Sequence, residues 1–475
     1  MSTSQETGIR EHSHAGTRQT GEARKAPPAP SVWRTELFAT FPLLTGALVL
    51  GVLTLTLGAE SAEWMGSWGA VRTHLHITAT VACAPLAAAA GSWQGGRERR
   101  RGMLGLRVGA ARGPLVQFAA AALPVAVWSL VGYALAAAGV LLVNTRYGGA
   151  GAPVVGVLVA DGVFLASAAF LGHVVGALVP WRLAPPLVAV LGYAAIGASG
   201  HSDAALSPAG GFGLDDELPV WWQPWAMAGW TAGLALAAVL AYTAAAGRRT
   251  GRPQGSLRSW SALAPLTAAA VCGALLAQGG AGLWHRDPVT ERQVCDTSTV
   301  PAICVNAMTS GYLPEVRAAL LPLTQRLEGV RNLPERWEDL PGAPGPDEAQ
   351  LPMLVPLGWH ARRGRIPSPG LYRWEAAAAL SQWECEAGSA SDPRAERTIS
   401  AVRDWLAQDG GRMELHREAE RWAVERGDAE EVAAVRAERA ARQRLADMSE
   451  AERRTWLGEF FAARLSCDPG DVPAL

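Results

Sequence analysis

The hydrophobic pattern divides the chain into an apolar first half and a polar second half. Between residues 37 and 283, long stretches of Ala, Leu, Val and Gly alternate with shorter polar segments. A helix needs about 20 apolar residues to cross the hydrocarbon core of a bilayer. The pattern predicts seven spans: Leu37–Gly58, Leu75–Trp93, Leu115–Val143, Val154–Val179, Leu183–Ser199, Trp225–Ala246 and Trp260–Leu283. The fifth is the shortest and contains Pro185 and Pro186.

The two ends of the chain differ from this membrane half. Residues 1–36 have no apolar run and are rich in Ser, Thr, Gly, Ala and Pro, which predicts a disordered tail. Residues 284–475 are rich in Arg, Glu and Asp and predict a soluble domain. Its pattern is helical, with Pro369 and Pro393 at helix starts and a capping box after Ser449. The predicted fold class is all-α: a polytopic helix bundle followed by a mostly helical domain.

Arginine placement predicts the orientation of the spans. The loops at residues 94–113 and 247–259 are rich in arginine, whereas residues 199–224 contain four acidic residues and no Arg or Lys. Positive charge favours the cytoplasmic side. We therefore expect a cytoplasmic N-terminal tail, a six-span bundle at 37–246, a basic loop with the seventh span at 247–283, and an extracytoplasmic domain at 284–475. Arg72 and Arg146 are the exceptions to the charge rule.

The six cysteines support this arrangement. Cys83 and Cys272 lie within predicted spans and are interpreted as small apolar residues. The remaining four lie in the C-terminal domain: Cys295, Cys304, Cys385 and Cys467. An even number in an external domain suggests two disulfides, with three possible pairings. We favour Cys295–Cys304 and Cys385–Cys467. The alternative, a four-cysteine zinc site, usually has two closely spaced pairs, and only one loose pair occurs here.

Catalytic chemistry is hard to find in the sequence. Lys25 is the only lysine, and a phosphate-binding P-loop needs a lysine after its glycines. The chain therefore carries no such ATP- or GTP-binding loop. The C-terminal domain has no Gly-x-Ser-x-Gly motif, and its three histidines, His285, His360 and His416, are far apart in sequence. We expect no enzyme activity, no catalytic residue, no cofactor, no metal and no nucleic-acid partner.

Two ionisable residues lie within the fourth predicted span. Asp161 is about two turns into the span and His173 is near its inner end. Their separation of 12 residues places them about a third of a turn apart around the helix, so we do not expect them to pair. An ionisable group at membrane depth usually faces a cavity or a partner. The alternative is a polar contact buried between helices.

The first six spans resemble a bacterial ABC-2-type exporter permease. In that family the first cytoplasmic loop has the pattern Glu-x-x-x-Gly-Thr-Leu-Glu-x-Leu. Residues 98–107 of this chain are Glu-Arg-Arg-Arg-Gly-Met-Leu-Gly-Leu-Arg. Met103 and Gly105 depart from the pattern. The Pro- and Trp-rich segment at 219–225 also resembles the family's re-entrant outer element. The resemblance implies an ATPase-coupling loop with these residues: Glu98, Arg100, Arg101, Leu104 and Leu106.

The resemblance implies a permease subunit that works as a homodimer or heterodimer in the bilayer with a separate ABC ATPase. A lipid, a peptide or a hydrophobic natural product is the expected substrate. The external domain and the seventh span resemble actinobacterial permease-like proteins, which often have His-Pro-Ala where this chain has Asn306, Ala307 and Met308. The alternatives are a membrane-anchored sensor or regulatory protein without transport and, third, an extracytoplasmic enzyme.

Overall fold

The first half of the chain forms a bundle of long helices. The computed structural model describes residues 32–102, 112–179, 181–200, 205–210, 216–249, 261–345, 347–354, 360–381, 392–464 and 468–475. The helices of this half are α1 (Val32–Leu37), α2 (Thr40–Ala59), α3 (Ser61–Trp64), α4 (Trp68–Ile77), α5 (Ala84–Gly95), α6 (Arg97–Arg100), α7 (Pro114–Asn144), α8 (Val155–Leu178), α9 (Ala184–Gly200), α10 (Gln223–Arg249) and α11 (Leu263–Gly279). A π-helical turn, Thr78–Cys83, joins α4 to α5.

Within the described residues, six helical stretches are long and apolar enough to cross a membrane: Arg34–Ala59, Trp68–Gly95, Pro114–Asn144, Val155–Leu178, Gln223–Arg248 and Leu263–Leu283. These six confirm the prediction of a polytopic membrane protein. The fifth predicted span corresponds to α9, which has 17 residues and is shorter than each of these six stretches. Residues 1–31 of the tail predicted at 1–36 lie outside the described residues, whereas residues 32–36 belong to the helix α1 and are not disordered.

Close contacts define the two ends of the bundle. At one end, Gly66 N donates a hydrogen bond to Asn144 Oδ1 at 3.0 Å, and Gly156 packs against Pro224. Helices α8 and α10 therefore begin at the same end, which we call the domain end because the C-terminal domain is attached there. The opposite, basic end carries the arginines of residues 97–101.

Small residues bring α5 and α8 into close contact. Each helix carries a Gly-x-x-x-Gly pair, Gly91 with Gly95 and Gly172 with Gly176. A Cβ atom placed on Gly172 would lie 1.9 Å from a backbone oxygen of Ala88 on the facing helix. Helices pack this closely in membranes only where side chains are absent or small, because lipid supplies no hydrophobic drive for association.

The C-terminal domain is helical around a small sheet. Strand β1 (Glu217–Pro219) belongs to the bundle side and pairs antiparallel with β2 (Trp284–Arg286). The domain itself contains β3 (Gln293–Asp296), β4 (Ala302–Asn306), β5 (Arg336–Glu338) and β6 (Glu348–Gln350), in the order β3-β4-β5-β6. The first pair is antiparallel and the other two are parallel. The sequence did not predict these strands, so the all-α class needs this correction, while the mainly helical character is confirmed.

Six helices belong to this domain, and all except Gly410–Arg426 share one apolar core with the sheet. They are α12 (Leu313–Arg326), α13 (Pro369–Ser381), α14 (Pro393–Ala407), α15 (Gly410–Arg426), α16 (Ala429–Asp447) and α17 (Glu450–Ala463). Trp337 of β5, Tyr372 of α13 and Phe460 of α17 are fully buried in this core. The predicted helix starts are confirmed at Pro369 and Pro393, and Ser449 caps α17 by accepting a hydrogen bond from Glu452 N at 3.3 Å.

The predicted disulfide between Cys295 and Cys304 is present and links β3 to β4 at directly opposite positions. Cys83 and Cys272 are free thiols within the bundle. The predicted Cys385–Cys467 pair lies outside the described residues and remains a prediction.

Candidate functional site

A buried polar cluster lies inside the bundle, near the domain end. His76 Nδ1 is 2.7 Å from Asp161 Oδ1, and the Tyr133 hydroxyl donates to Asp161 Oδ2 at 3.4 Å. The other ring nitrogen of His76, Nε2, is 3.2 Å from the backbone oxygen of Gly210. Counting along the helices at 1.5 Å per residue, His76 and Asp161 lie roughly 10 Å from their helix starts. Asp161 therefore has hydrogen-bonding partners inside the bundle, as expected for a carboxyl group at this depth.

The geometry constrains the protons of this cluster. Both ring nitrogens of His76 face oxygen atoms, and a carbonyl oxygen can only accept a hydrogen bond. Nε2 must therefore carry a proton toward Gly210. A second proton lies between His76 Nδ1 and Asp161 Oδ1, and either residue can own it. The pair holds two protons in both arrangements, either as an ion pair or as two neutral groups.

The cluster joins four separate parts of the chain. His76 is on α4, Tyr133 on α7 and Asp161 on α8, while Gly210 belongs to the segment between α9 and α10. The π-helical turn begins two residues after His76, and such turns occur frequently at functional sites. The adjacent cavity of about 20 Å³ has room for about one water molecule. The cluster can therefore tie helices together or hold a proton, but it cannot hold a substrate in this conformation.

His173, the other predicted intramembrane residue, takes no part in the cluster. It is buried near the basic end of α8, and its ring packs edge-on against Phe118 with a centroid distance of 4.7 Å. The structure thus pairs Asp161 with His76 and separates it from His173. Sequence reasoning missed His76 because the second predicted span began at Leu75, which left this histidine at the end of the span. The helix begins at Trp68 instead, and a span starting there would have shown an ionisable residue at depth.

The described residues of the predicted coupling loop, Glu98, Arg100 and Arg101, lie at the basic end. Arg97 pairs with Glu36 at 3.4 Å. The Arg100 guanidinium lies over the Trp93 ring, 4.4 Å from its centroid, and also donates to the Trp93 backbone oxygen. Glu98 is half-buried on the short helix α6, whereas Arg101 follows it and is exposed. The other two residues, Leu104 and Leu106, lie outside the described residues.

A buried ion pair connects the bundle to the C-terminal domain. Arg72 Nη1 and Nη2 donate to Asp287 Oδ2 at 3.4 and 3.3 Å, and both side chains are almost fully buried. Nearby, the Tyr312 hydroxyl donates to the Met65 backbone oxygen at 2.8 Å. Together with the β1–β2 ribbon, these contacts hold the domain directly against the bundle. The Arg72–Asp287 pair also explains why an arginine lies at this end against the charge rule.

A cavity of about 680 Å³ lies at this junction. The connection between α2 and α4 forms one wall, through Glu63, Met65 and Gly66, and the C-terminal domain forms the other. Most of its surface is apolar. It is large enough for a small organic ligand, since ligand pockets commonly measure 300–1,000 Å³.

The carboxyl group of Asp339, in the C-terminal domain, lines this cavity. Asp339 Oδ2 accepts hydrogen bonds from Asn306 N at 3.2 Å and from Thr309 Oγ at 3.4 Å. Burial raises the pKa of Asp339 to about 6, although both hydrogen bonds favour the ionised form. Asn306, at the position where the resembling proteins often have histidine, donates through Nδ2 to the backbone oxygens of Thr290 and Asp339 at 2.7 and 3.2 Å.

The domain histidines have separate partners, His360 with Glu375 at 2.7 Å and His416 with Asp404 at 2.8 Å. Across the described ranges, no group of three or more His, Cys, Asp or Glu side chains is arranged to hold a metal ion. Comparison of the chain with protein-family models, with curated proteins and with solved structures gave no match.

Proposed function

We propose that this protein is the membrane-embedded permease subunit of an ABC-type exporter, powered by a separate ATPase. The observation that carries the proposal is the segment between α9 and α10. Ser207 and Ala209 of this segment are buried, and Gly210 reaches His76 at the depth of the intramembrane cluster. A non-helical segment at this depth is tolerated where protein buries it. It supports the re-entrant outer element that the permease resemblance implies.

The proposed topology has seven crossings. Helices α8 and α10 begin at the same end, so the chain between them has to return across the bundle once. Helix α9 covers about 25 Å of that return at 1.5 Å per residue, and the segment up to Pro219 completes it. With arginines at the basic end, the positive-inside rule places that end in the cytoplasm and the C-terminal domain outside.

A membrane-impermeant thiol reagent tests this topology. In a background with Cys272→Ser, the variant Asp216→Cys should react in intact cells, because Asp216 is exposed at the domain end. The variant Arg101→Cys should react only after the membrane is permeabilised. The reverse labelling pattern would overturn the orientation and the external placement of the domain.

The proposed ATPase contact is the basic end. Because Arg100 already stacks on Trp93 within the chain, the exposed Arg101 is the better candidate for pairing with carboxylates of the partner. We expect the full-length protein to co-purify with the ATPase encoded beside it. Arg101→Glu, alone or with Arg100→Glu, should abolish co-purification, whereas Arg146→Glu at the domain end should leave it intact. If the wild-type protein brings down no ATPase, the permease proposal fails.

The second candidate function is a membrane-anchored sensor with permease-like spans and no transport. The junction cavity favours it, because a ligand there would touch both the external domain and the connection between the first two spans. Reconstitution into vesicles with the ATPase separates the two functions. ATP-dependent movement of a substrate supports the permease, and ligand binding without such movement supports the sensor.

A further inference from the structure

The lining of the junction cavity has a definite chemical character. Its walls are mostly apolar, with the flexible side chains of Met308 and Met353 and the branched side chain of Leu354 among them. Three carboxylates line it, those of Glu63, Asp216 and Asp339. Among the described residues that line the cavity, there is no Arg, Lys or His side chain. The cavity therefore combines an apolar interior with negative charge.

The hydrogen-bonding groups of the lining are unequally used. The side-chain donors of Asn306, Thr309 and Tyr312 are already bonded to protein oxygens. By contrast, the Oε1 atom of Gln350 is buried and receives no hydrogen bond from any described residue. Both hydrogen bonds to the Asp339 carboxylate reach Oδ2, and none from the described residues reaches Oδ1. Among these lining groups, Gln350 Oε1 and Asp339 Oδ1 are the acceptors that receive no hydrogen bond from a described residue.

We propose that the junction cavity binds an amphipathic cation whose charged group carries N–H donors, such as a primary or secondary ammonium on an apolar body. The ammonium would donate to Asp339 Oδ1 and Gln350 Oε1, and the apolar part would contact the methionine and leucine side chains. A buried acceptor that receives no hydrogen bond costs free energy. A ligand that donates a hydrogen bond to it removes this cost, and binding is stronger for that reason. An anion would meet only carboxylates, and a neutral ligand would leave the charge of Asp339 unpaired.

This site goes beyond the proposed function, because binding requires neither ATP nor a partner subunit. The full-length protein in nanodiscs, without any ATPase, is titrated with dansylcadaverine, a fluorescent molecule with a primary ammonium. N-acetylated dansylcadaverine is the matched neutral probe, and empty nanodiscs correct for partition into lipid. We expect saturable binding of the amine and at least about tenfold weaker binding of the acetylated probe, the effect of about 1.4 kcal/mol.

Three variants test the location. Asp339→Asn should weaken binding of the amine at least about tenfold, whereas Asp347→Asn, at an exposed carboxylate of the same domain outside the lining, should leave it unchanged. Met308→Trp, which fills part of the cavity, should weaken binding of both probes. Equal binding of the two probes to the wild type, or unchanged binding after Asp339→Asn, would overturn the proposal. Loss of ATPase co-purification would leave this result unaffected, so the two proposals can fail separately.

Discussion

The Arg72–Asp287 ion pair gives the sharpest test of how the C-terminal domain is held on the bundle. Asp287 Oδ2 accepts both hydrogen bonds from Arg72, and its other oxygen accepts one from Val289 N at 3.0 Å. Asp287→Asn removes the charge but keeps an amide oxygen for Val289. The variant therefore removes the carboxylate charge that faces the buried guanidinium of Arg72 and keeps the shape of the side chain.

The magnitude follows from the geometry of the pair. At a separation of 3.3 Å and an effective dielectric constant of about 20, the attraction between unit charges is about 5 kcal/mol. Desolvation of both charges offsets part of this, and loss of one partner of a buried pair typically costs about 3–5 kcal/mol. The distances are longer than the 2.7–2.9 Å of the strongest charged hydrogen bonds, so we expect about 3 kcal/mol. That free energy corresponds to roughly a 100-fold change in the equilibrium between docked and undocked domain.

Limited proteolysis measures this equilibrium. Trypsin cleavage after Arg286 or Arg292, in the connection beside the pair, tracks the open population when opening is fast compared with cleavage. Asp287→Asn should speed cleavage about 100-fold, while Arg317→Met, which removes an exposed partner of Asp296, should change it little. The double variant Arg72→Met with Asp287→Asn should recover most of the loss, because it removes both charges of the buried pair. A change below about threefold for Asp287→Asn, or a double variant as labile as the single one, would refute this account.

Three further predictions concern packing, protonation and the disulfide. Gly172→Ala should lower the thermal unfolding midpoint, at a cost of about 1–3 kcal/mol for overpacking, whereas Gly139→Ala, with open space around it, should not. Because the pKa of Asp339 is raised to about 6 when folded, the wild type gains stability as pH falls from 7 to 4 through that value; Asp339→Asn should be the more stable form at pH 7 in urea unfolding, with the difference closing near pH 4. Cys295→Ser with Cys304→Ala should cost about 2.5–3 kcal/mol in the same assay, as expected for closure of a loop of about ten residues, and reduction of the wild type should give the same loss.

The membrane half was predictable because a spanning helix is identified by a local property of the sequence, the length of its apolar run. Length and hydropathy alone identify a spanning helix, and six of the seven predicted spans correspond to helices of membrane length. The disulfide between Cys295 and Cys304 was predictable for a related reason, since close spacing in sequence limits the choice of partner. Helix α9 differs because it has only 17 residues, and the non-helical residues 205–210, which reach His76, carry no hydropathy signal.

The sheet and the polar cluster were not predictable because they depend on distant parts of the chain. Strands β5 and β6 have three residues each, too few to show a period, and β5 pairs in parallel with β4 across the long connection 307–335. His76 and Asp161 are 85 residues apart, and nothing in either local sequence identifies the other as its partner. No local motif identifies Asp339 either. Its pKa is raised by burial, and that burial depends on how distant parts of the chain fold together.

Helix α4 provides a direct physical link between the junction and the interior of the bundle. Arg72 and His76 are four residues apart and so lie on one face of this helix, where Arg72 holds Asp287 of the domain and His76 holds Asp161 of α8. The cavity borders the start of the same helix at Gly66. A shift of the domain that moves Arg72 must therefore either move His76 or be absorbed within one helical turn. Since the π-helical turn lies beyond His76, we expect the stretch from the cavity to the cluster to move as one piece, with α4 changing its angle to α5 at the turn. Ligand binding at the junction and the proton arrangement of the cluster are for this reason expected to depend on each other.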